Sequence, residues 1–452
     1  MGALACTSRP DYLAIQQRLI GSAVPRAHSS RFLASLSARP ELFGVLDYGL
    51  SSLATFMVGL FAARTFDPVG LGVYALCFRA VFLGGIAPSQ GLFVPAENLV
   101  VSLPMTQRLG MMRYTLRRGA PTALVSALTV CLWVLLAPPH APREALAALT
   151  ATGVAAAFFS PVQDHVRRML HLSGASRVAA VVSGVQFLAV GAALLFCSLA
   201  KVAMWWVPLG TLAFANLASL AVGVGHASRS QIPPGAAAVL RPEEIQRSGR
   251  WLVLLGLLDA GTIFAVAAVV ARVSGAAALG YAEAARIAAN PVMVLAWGLS
   301  AVLGPRSLRA AREKNAKQAR QVSRTFAWIL AVAGAVSLAI FTTDWWGNPM
   351  AWLLPNAYVV PGLAGLSILA YLANGFGYPL WSELLGGRLE RSIAKAEIKA
   401  NVLRTLLAGT AGFTHAYAVP LSLLGFSLAR WFGFHRVRMM MYGRAATPEP
   451  AT

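Results

Sequence analysis

The chain has 452 residues, of which 57% are hydrophobic and only 12% are charged, and its formal net charge is +21. Soluble proteins carry charges on about 25% of their residues, so this composition excludes an ordinary soluble enzyme and indicates a membrane protein. The four cysteines, Cys6, Cys77, Cys131 and Cys197, show no paired spacing. They therefore predict neither a disulfide framework nor a zinc site.

Twelve apolar segments approach the length of about 20 residues that crosses a bilayer. They lie at 43–63, 70–95, 119–138, 144–162, 178–200, 203–225, 251–271, 279–304, 325–343, 352–375, 393–413 and 416–434. Pro355, Pro361 and Gly375 interrupt the tenth segment, and Lys395 and Lys399 make the eleventh weakly hydrophobic at its start. We nevertheless count all twelve as predicted spans.

Basic residues are concentrated on one side of this layout. If the N-terminus is cytoplasmic, all but six of the 38 lysines and arginines fall in cytoplasmic segments or at cytoplasmic span ends. The six exceptions are Arg64, Arg143, Lys201 and Arg272 at outer ends, and Arg79 and Arg286 within spans. Because cytoplasmic loops of membrane proteins are rich in lysine and arginine, both termini are predicted to be cytoplasmic. The net charge then reflects topology and attracts anionic membrane lipids, and it does not predict nucleic-acid binding.

The spans divide the chain into five segments. We predict a cytoplasmic arm at 1–42 with an interfacial helix around 12–20, six-helix lobes at 43–225 and 251–434, a cytoplasmic linker at 226–250 and a cytoplasmic tail at 435–452. No hydrophilic segment is long enough to fold as a catalytic domain. The sequence therefore predicts that the protein is not an enzyme.

A block of sequence occurs once in each lobe. The first copy holds Ala63-Arg64, Leu71-Gly72, Tyr74-Ala75 and Arg79, and the second holds Ala271-Arg272, Leu279-Gly280, Tyr281-Ala282 and Arg286. The copies are six predicted spans apart, so equivalent spans cross the membrane in the same direction. This predicts an all-α, polytopic protein of about 12 transmembrane helices, in two lobes related by a parallel pseudo-twofold axis. Rocking of the lobes would open a central cavity to one side at a time.

Arg79 and Arg286 are the basic residues for which the topology gives no explanation. A charge inside a membrane span is costly and marks a functional site by default. Guanidinium groups bind phosphate through forked hydrogen bonds, so the two arginines are candidates for holding an anionic diphosphate. The alternative is local pairing, because Glu283 precedes Arg286 by one helical turn. Arg79 has no acidic residue within one turn.

Acidic residues in the spans offer a second kind of site. Asp47 in the first span and Asp259 in the seventh could bind a coupling proton or sodium ion, as an antiporter requires. They could equally be counter-ions of Arg79 and Arg286, or lie in the inner headgroup zone. Glu283 is a further candidate for either role. The histidines His140, His165, His171 and His415 are predicted in loops without ligand-like spacing, so no metal or other cofactor is expected.

Three short stretches resemble the polysaccharide (O-antigen type) flippases. They are Phe66-Asp67-Pro68-Val69-Gly70-Leu71-Gly72-Val73-Tyr74-Ala75-Leu76, Ala278-Leu279-Gly280-Tyr281-Ala282 and Val166-Arg167-Arg168-Met169-Leu170. That family shares a superfamily with multidrug and toxin extrusion antiporters and with lipid II flippases. The resemblance implies a V-shaped pair of helix bundles that moves a polyprenyl-diphosphate-linked oligosaccharide across the bacterial plasma membrane for cell-surface polysaccharide biosynthesis. It also implies transport without ATP, and its partners could include a polysaccharide polymerase and glycosyltransferases.

Two alternatives remain open at this point. An ion-coupled multidrug antiporter of the same superfamily would have the same architecture, although an arginine-lined cavity would repel the cations that most such antiporters carry. A membrane glycan ligase would need acidic or histidine residues on a sizeable outer loop, and the predicted outer loops are short. The flippase is therefore the first prediction, the antiporter the second and the ligase the third.

Overall fold

The computed structural model describes residues 40–443 except 102, 140, 203, 234–239 and 344, and describes 40–42, 242, 301 and 443 without their side chains. The predicted interfacial helix around 12–20 and nearly all of the predicted arm lie outside the described residues. So does the last part of the predicted tail.

The described part of the chain consists of helices and connecting loops, without strands. Its long helices are α1 (Pro40–Thr65), α2 (Pro68–Val100), α3 (Met105–Leu136), α4 (Arg143–Leu172), α5 (Ser176–Leu199), α6 (Val207–Ala227), α7 (Pro242–Val273), α8 (Ala276–Arg312), α9 (Ala316–Thr342), α10 (Leu363–Gly386), α11 (Glu390–Ala408) and α12 (Ala418–Gly443). One long helix thus corresponds to each predicted span.

Nine of the described helices are long and apolar enough to cross a membrane, or ten if α8 counts as one span with a bend of 45° between Ala276–Ser300 and Val302–Arg312. The protein is therefore a multi-pass membrane protein. The helices α11 and α12 fall outside this set because charged residues such as Lys395 and Arg430 lower their hydropathy. Both pack within the bundle, α11 against α12 and α7.

The tenth span differs from its predicted position at 352–375. A short helix at Pro349–Leu353 and a 3₁₀ turn at Asn356–Tyr358 come first, and the span itself runs from Leu363 to Gly386. Pro355 and Pro361 lack a backbone N–H and cannot continue a helix from the preceding segment. Gly362 then adopts a left-handed φ of 73°, and α10 starts behind it.

The helix α2 is regular only in its first half. Its N-terminus is capped by Asp67, whose Oδ1 accepts a hydrogen bond of 2.8 Å from the N–H of Gly70. The regular part ends at Gly84, and a π-helical turn at Ser89–Phe93 follows Pro88. A proline removes one hydrogen bond of the ladder, and π-helical turns are a common way to absorb such a break.

Successive helices are joined by short loops and alternate in direction, which gives the bundle two ends. We call the end with loops 66–67, 137–142, 200–206, 274–275, 343–362 and 409–417 the motif end, because α2 and α8 begin there. The opposite end is the basic end, with loops 101–104, 173–175, 228–241, 313–315 and 387–389. Residues of both halves join in one apolar core, which includes Leu71, Leu76, Ala271 and Leu279.

Candidate functional site

The two arginines of the repeat meet at a single carboxylate. Arg79 on α2 donates from Nη2 to Oε2 of Glu283 on α8 at 2.8 Å. Arg286 donates from Nε to Oε1 of the same glutamate at 2.8 Å and also through Nη2. Its Nη1 donates to Oδ1 of Asn290 at 3.1 Å. We call Arg79, Glu283 and Arg286 the central cluster.

The central cluster is largely shielded from solvent. The side chain of Glu283 is 7% exposed, that of Arg79 15% and that of Arg286 26%. Two guanidinium groups share one carboxylate, so the three side chains carry a net charge of +1. Buried charges need partners because their desolvation is expensive, and here the single glutamate partners both arginines. The cluster also joins the first half of the chain to the second.

Of the alternatives for Asp47, the one that makes it the counter-ion of a repeat arginine is wrong. Asp47 on α1 accepts hydrogen bonds from Nε of Arg167 at 2.9 Å and from Nη2 at 2.8 Å, in a forked arrangement with α4. Ser183 and His171 also contact its carboxylate, at 2.5 and 3.1 Å. Asp47 therefore ties α1 to α4 and α5 within the first half, away from the central cluster.

Asp259 does not pair with either arginine of the repeat. Its side chain is 55% exposed, and its Oδ1 is 3.8 Å from Nη1 of Arg404 on α11. Arg404 was counted as a cytoplasmic residue at the start of the eleventh span, but it is 7% exposed within the bundle. The predicted pairing of Asp259 with Arg286 is therefore wrong, because Glu283 occupies that place.

A second polar region surrounds Arg430 inside the second half. Arg430 donates from Nη2 to both the carbonyl and Oδ1 of Asn374 at 2.7 Å. Its guanidinium lies 4.9 Å from the ring centroid of Phe426, and that of Arg404 lies 5.2 Å from the same ring. Both guanidinium groups therefore lie within cation–π distance of one ring. Glu397 completes the region at 3.8 Å from Nη1 of Arg430.

Two of the histidines predicted in loops lie in a helix. His165 and His171 belong to α4, and His165 is completely buried. The ring of His165 lies 2.7 Å from both Oε1 of Glu97 and Oγ1 of Thr115. These polar partners let α4 continue past its predicted end at 162. Among the described residues, no group of three or more potential metal ligands comes together.

At the motif end the two halves contact each other through the repeated Leu-Gly pairs. A Cβ atom on Gly72 would lie 1.8 Å from the carbonyl oxygen of Ala276, and one on Gly280 would lie 1.9 Å from that of Pro68. Each glycine therefore allows its own helix to cross the start of the equivalent helix in the other half. The sequence alone did not predict this role.

The arginines of the repeated Ala-Arg pairs also connect the two halves at the motif end. Arg64 at the end of α1 donates from Nη2 to the carbonyl of Trp352 in the second half at 2.8 Å. Arg272 at the end of α7 donates from Nη2 to the carbonyl of Leu135 in the first half at 2.5 Å. Tyr358 adds a bond of 2.6 Å from its hydroxyl to the carbonyl of Phe66. Burial raises the pKa of the Tyr358 phenol, which keeps it a donor.

Comparisons by sequence give no relatives: no protein-family model matches the chain, and no curated protein matches it. Comparisons by structure find similar proteins. The chain superposes on an inward-facing conformation of a multidrug resistance MATE family transporter of the MOP superfamily with a TM-score of 0.70, at 15% identity, over 88% of this chain and 96% of the other. The chain has the MATE fold.

Two further structures refine this result. An outward-facing conformation of a MATE family transporter gives a TM-score of 0.59 at 15% identity, over 89% of this chain and 94% of the other. The other is a MOP superfamily transporter from Pyrococcus furiosus, which gives a TM-score of 0.57 at 16% identity, over 89% of this chain and 94% of the other. It is described as having a binding pocket of reverse polarity that suggests a different function.

Proposed function

We propose that the protein is a secondary transporter that exports an amphiphilic organic molecule by alternating access between its two halves. The central cluster carries this proposal. It is a buried set of charges placed between the two halves of a MATE fold, where a movement of the halves must break the bond between Arg79 and Glu283. The bond between Glu283 and Arg286 lies within α8 and can persist throughout.

The coupling ion in this proposal is a proton that binds Glu283. A neutral Glu283 would hold Arg79 less strongly, since a charge-assisted hydrogen bond is roughly twice as strong as a neutral one. Protonation would therefore favour separation of α2 from α8 at the central cluster. Asp47 and Asp259 offer a weaker basis for coupling, because each of them pairs with an arginine of its own half.

The charge of the central cluster predicts the charge of the cargo. Its net charge of +1 favours an organic anion or a neutral amphiphile over an organic cation. The fold neighbours named as multidrug transporters support export of small organic molecules. The neighbour with a pocket of reverse polarity supports a different cargo on the same fold. We place the protein in the bacterial plasma membrane, with the basic end cytoplasmic as the distribution of basic residues predicts.

Transport into proteoliposomes with an imposed pH gradient tests this function. We expect uptake of a fluorescent organic anion such as carboxyfluorescein to exceed that of the cation ethidium. Replacement of Arg79 or Arg286 by glutamine should reduce anion uptake, whereas Arg143→Gln at the exposed start of α4 should leave it unchanged. Equal uptake of both probes by all variants and by wild type would contradict the proposed role of the cluster.

A second candidate function is translocation of a polyprenyl-diphosphate-linked oligosaccharide. The paired arginines favour it specifically, because guanidinium groups bind phosphate oxygens in a forked geometry. Its test uses the same proteoliposomes with a fluorescent lipid-linked oligosaccharide and the variants Arg79→Ala and Arg286→Ala. Flipping by wild type that both variants lose would favour this function, and flipping that neither variant changes would remove it.

A further inference from the structure

Two adjoining cavities lie at the basic end of the second half. The first has a volume of about 520 Å³ and lies between α8 and α10, where Pro305, Leu308, Trp381 and Leu385 supply apolar surface and Arg309 and Arg312 supply charge. The second, of about 530 Å³, shares Arg312 and adds Lys314 and Arg388. Apolar walls and a cationic rim are the two features that an anionic amphiphile requires.

The four basic side chains that line the cavities have no ion-pair or hydrogen-bond partner among the residues that the structure describes. The ion pairs of the described residues involve other arginines, such as Arg167, Arg241 and Arg438. At the same end of the first half, two arginines bind backbone carbonyls instead. Arg108 donates to the carbonyl of Leu172 at 2.6 Å, and Arg113 donates to that of Ser230 at 2.7 Å.

Two basic residues at the second cavity adopt a backbone conformation that favours glycine. Lys314 and Arg388 have φ values of 53° and 56°, in the left-handed region that favours glycine. Each follows a helix and closes it, since Lys314 donates its N–H to the carbonyl of Ala311 and Arg388 donates to that of Leu385. In the equivalent turn after α4, Gly174 occupies this position with a φ of 79°.

Lys314 and Arg388 thus place two basic side chains at one cavity, in turns where glycine would fit better. We propose that these cavities form a binding site for the phosphate headgroup of an anionic membrane lipid. The guanidinium groups of Arg309 and Arg312 would bind the phosphate, Lys314 and Arg388 would add charge, and an acyl chain would lie along Trp381 and Leu385. The predicted cytoplasmic position of the basic end places the site at the leaflet that is rich in anionic lipid.

The site is independent of the transported substrate. It lies at the basic end of α8 and α10, whereas the central cluster lies between α2 and α8. Its occupant would bridge α8 to α10, since Arg312 and Trp381 come from these two helices. Binding should therefore stabilise the second half whether or not the protein transports an organic anion.

Thermal unfolding of the full-length protein in neutral detergent tests the site. Dioleoylphosphatidylglycerol should raise the Tm with saturation, and dioleoylphosphatidylcholine should not, because a ligand that binds only the folded state stabilises it. Arg312→Gln, which alters both cavities, should raise the apparent Kd for phosphatidylglycerol about tenfold, the factor expected for one lost charge-assisted bond.

A second variant separates binding from folding. Lys314→Gly combined with Arg388→Gly should weaken binding of phosphatidylglycerol, while its Tm without lipid stays equal to that of wild type or rises, because glycine relieves the left-handed backbone.

The control is Arg320→Gln combined with Arg324→Gln, two exposed residues of α9 that do not line the cavities. An equal loss of lipid binding in this control would overturn the site in favour of general surface attraction. An equal rise in Tm with free glycerol phosphate would overturn the assignment to a lipid.

Discussion

The two copies of the repeated block are alike at the motif end and differ one helical turn before their terminal arginines. Both contribute an arginine that binds the opposite half and a glycine that packs against the opposite backbone. One turn before the terminal arginine, however, the first copy has Leu76 and the second has Glu283. Arg79 has no acidic residue in its own copy and therefore uses the glutamate of the other.

This difference separates two tasks within one repeat. The symmetric residues close the motif end, and either half contributes equally to that contact. The asymmetric glutamate makes the two halves depend on each other, because it is the only carboxylate that the described structure places on both arginines. A symmetric repeat with two glutamates would neutralise each arginine locally and would not link the halves.

The largest effect on stability is expected when Glu283 is replaced by leucine, the residue at the equivalent position of the first copy. Glu283→Leu should lower the free energy of unfolding by about 3–5 kcal/mol, because it leaves buried guanidinium groups without a partner. Arg79→Gln and Arg286→Gln should each cost less, since one arginine and the glutamate then remain as a neutral pair. Thermal unfolding of the three purified variants checks this order. A Glu283→Leu protein no less stable than Arg79→Gln would show that the carboxylate is not shared.

An intermediate effect is expected at the repeated glycines. Gly72→Val and Gly280→Val should each destabilise the conformation with a closed motif end by about 1–3 kcal/mol. The reason is that the new side chain overlaps a backbone carbonyl of the other half. Labelling of cysteines introduced at the motif end should therefore become faster in both variants. Gly298→Val in α8 is the control, since no atom lies within 4 Å of its Cβ position. Equal labelling in all three variants would argue against contact between the halves at the glycines.

The smallest effect is expected at Arg64 and Arg272, the two repeat arginines at the motif end. Arg64→Ala and Arg272→Ala each remove one exposed bond to a carbonyl of the other half, which is worth about 0.5–1.5 kcal/mol. Because the two bonds are equivalent by the repeat, their effects on motif-end labelling should be similar and additive. Lys201→Ala, an exposed residue at the same end, is the control. A large effect from only one arginine would mean that the motif end is not symmetric.

The sequence predicted the spans and the duplication because both depend on local composition. Hydropathy located twelve segments, and each coincides in part with a long helix. The spacing of Leu71-Gly72 and Leu279-Gly280 indicated two similar halves. The predicted ends of the spans were wrong where buried polar pairs, and not apolar residues, line the helix. The predicted fourth span stopped before Arg167, but α4 continues because Asp47 and Glu97 pair with its polar residues.

The partners of the charged residues could not be predicted, because they depend on contacts far apart in the chain. Arg79 and Glu283 are separated by 204 positions, and Asp47 and Arg167 by 120. One signal was present in the sequence. Glu283 was the acidic residue one turn from a repeat arginine, and Arg79 lacked an equivalent, so a shared carboxylate was the simplest solution for both.

The most direct test of the link between the halves is the distance between spin labels across the motif end. Labels at Lys201→Cys and Phe413→Cys, both exposed, would be placed on a background without the native cysteines and measured by double electron–electron resonance. If the bond between Arg79 and Glu283 helps to hold the halves together, Arg79→Gln should populate a longer distance, and the control Arg143→Gln should not. An unchanged distance distribution in Arg79→Gln would contradict the account.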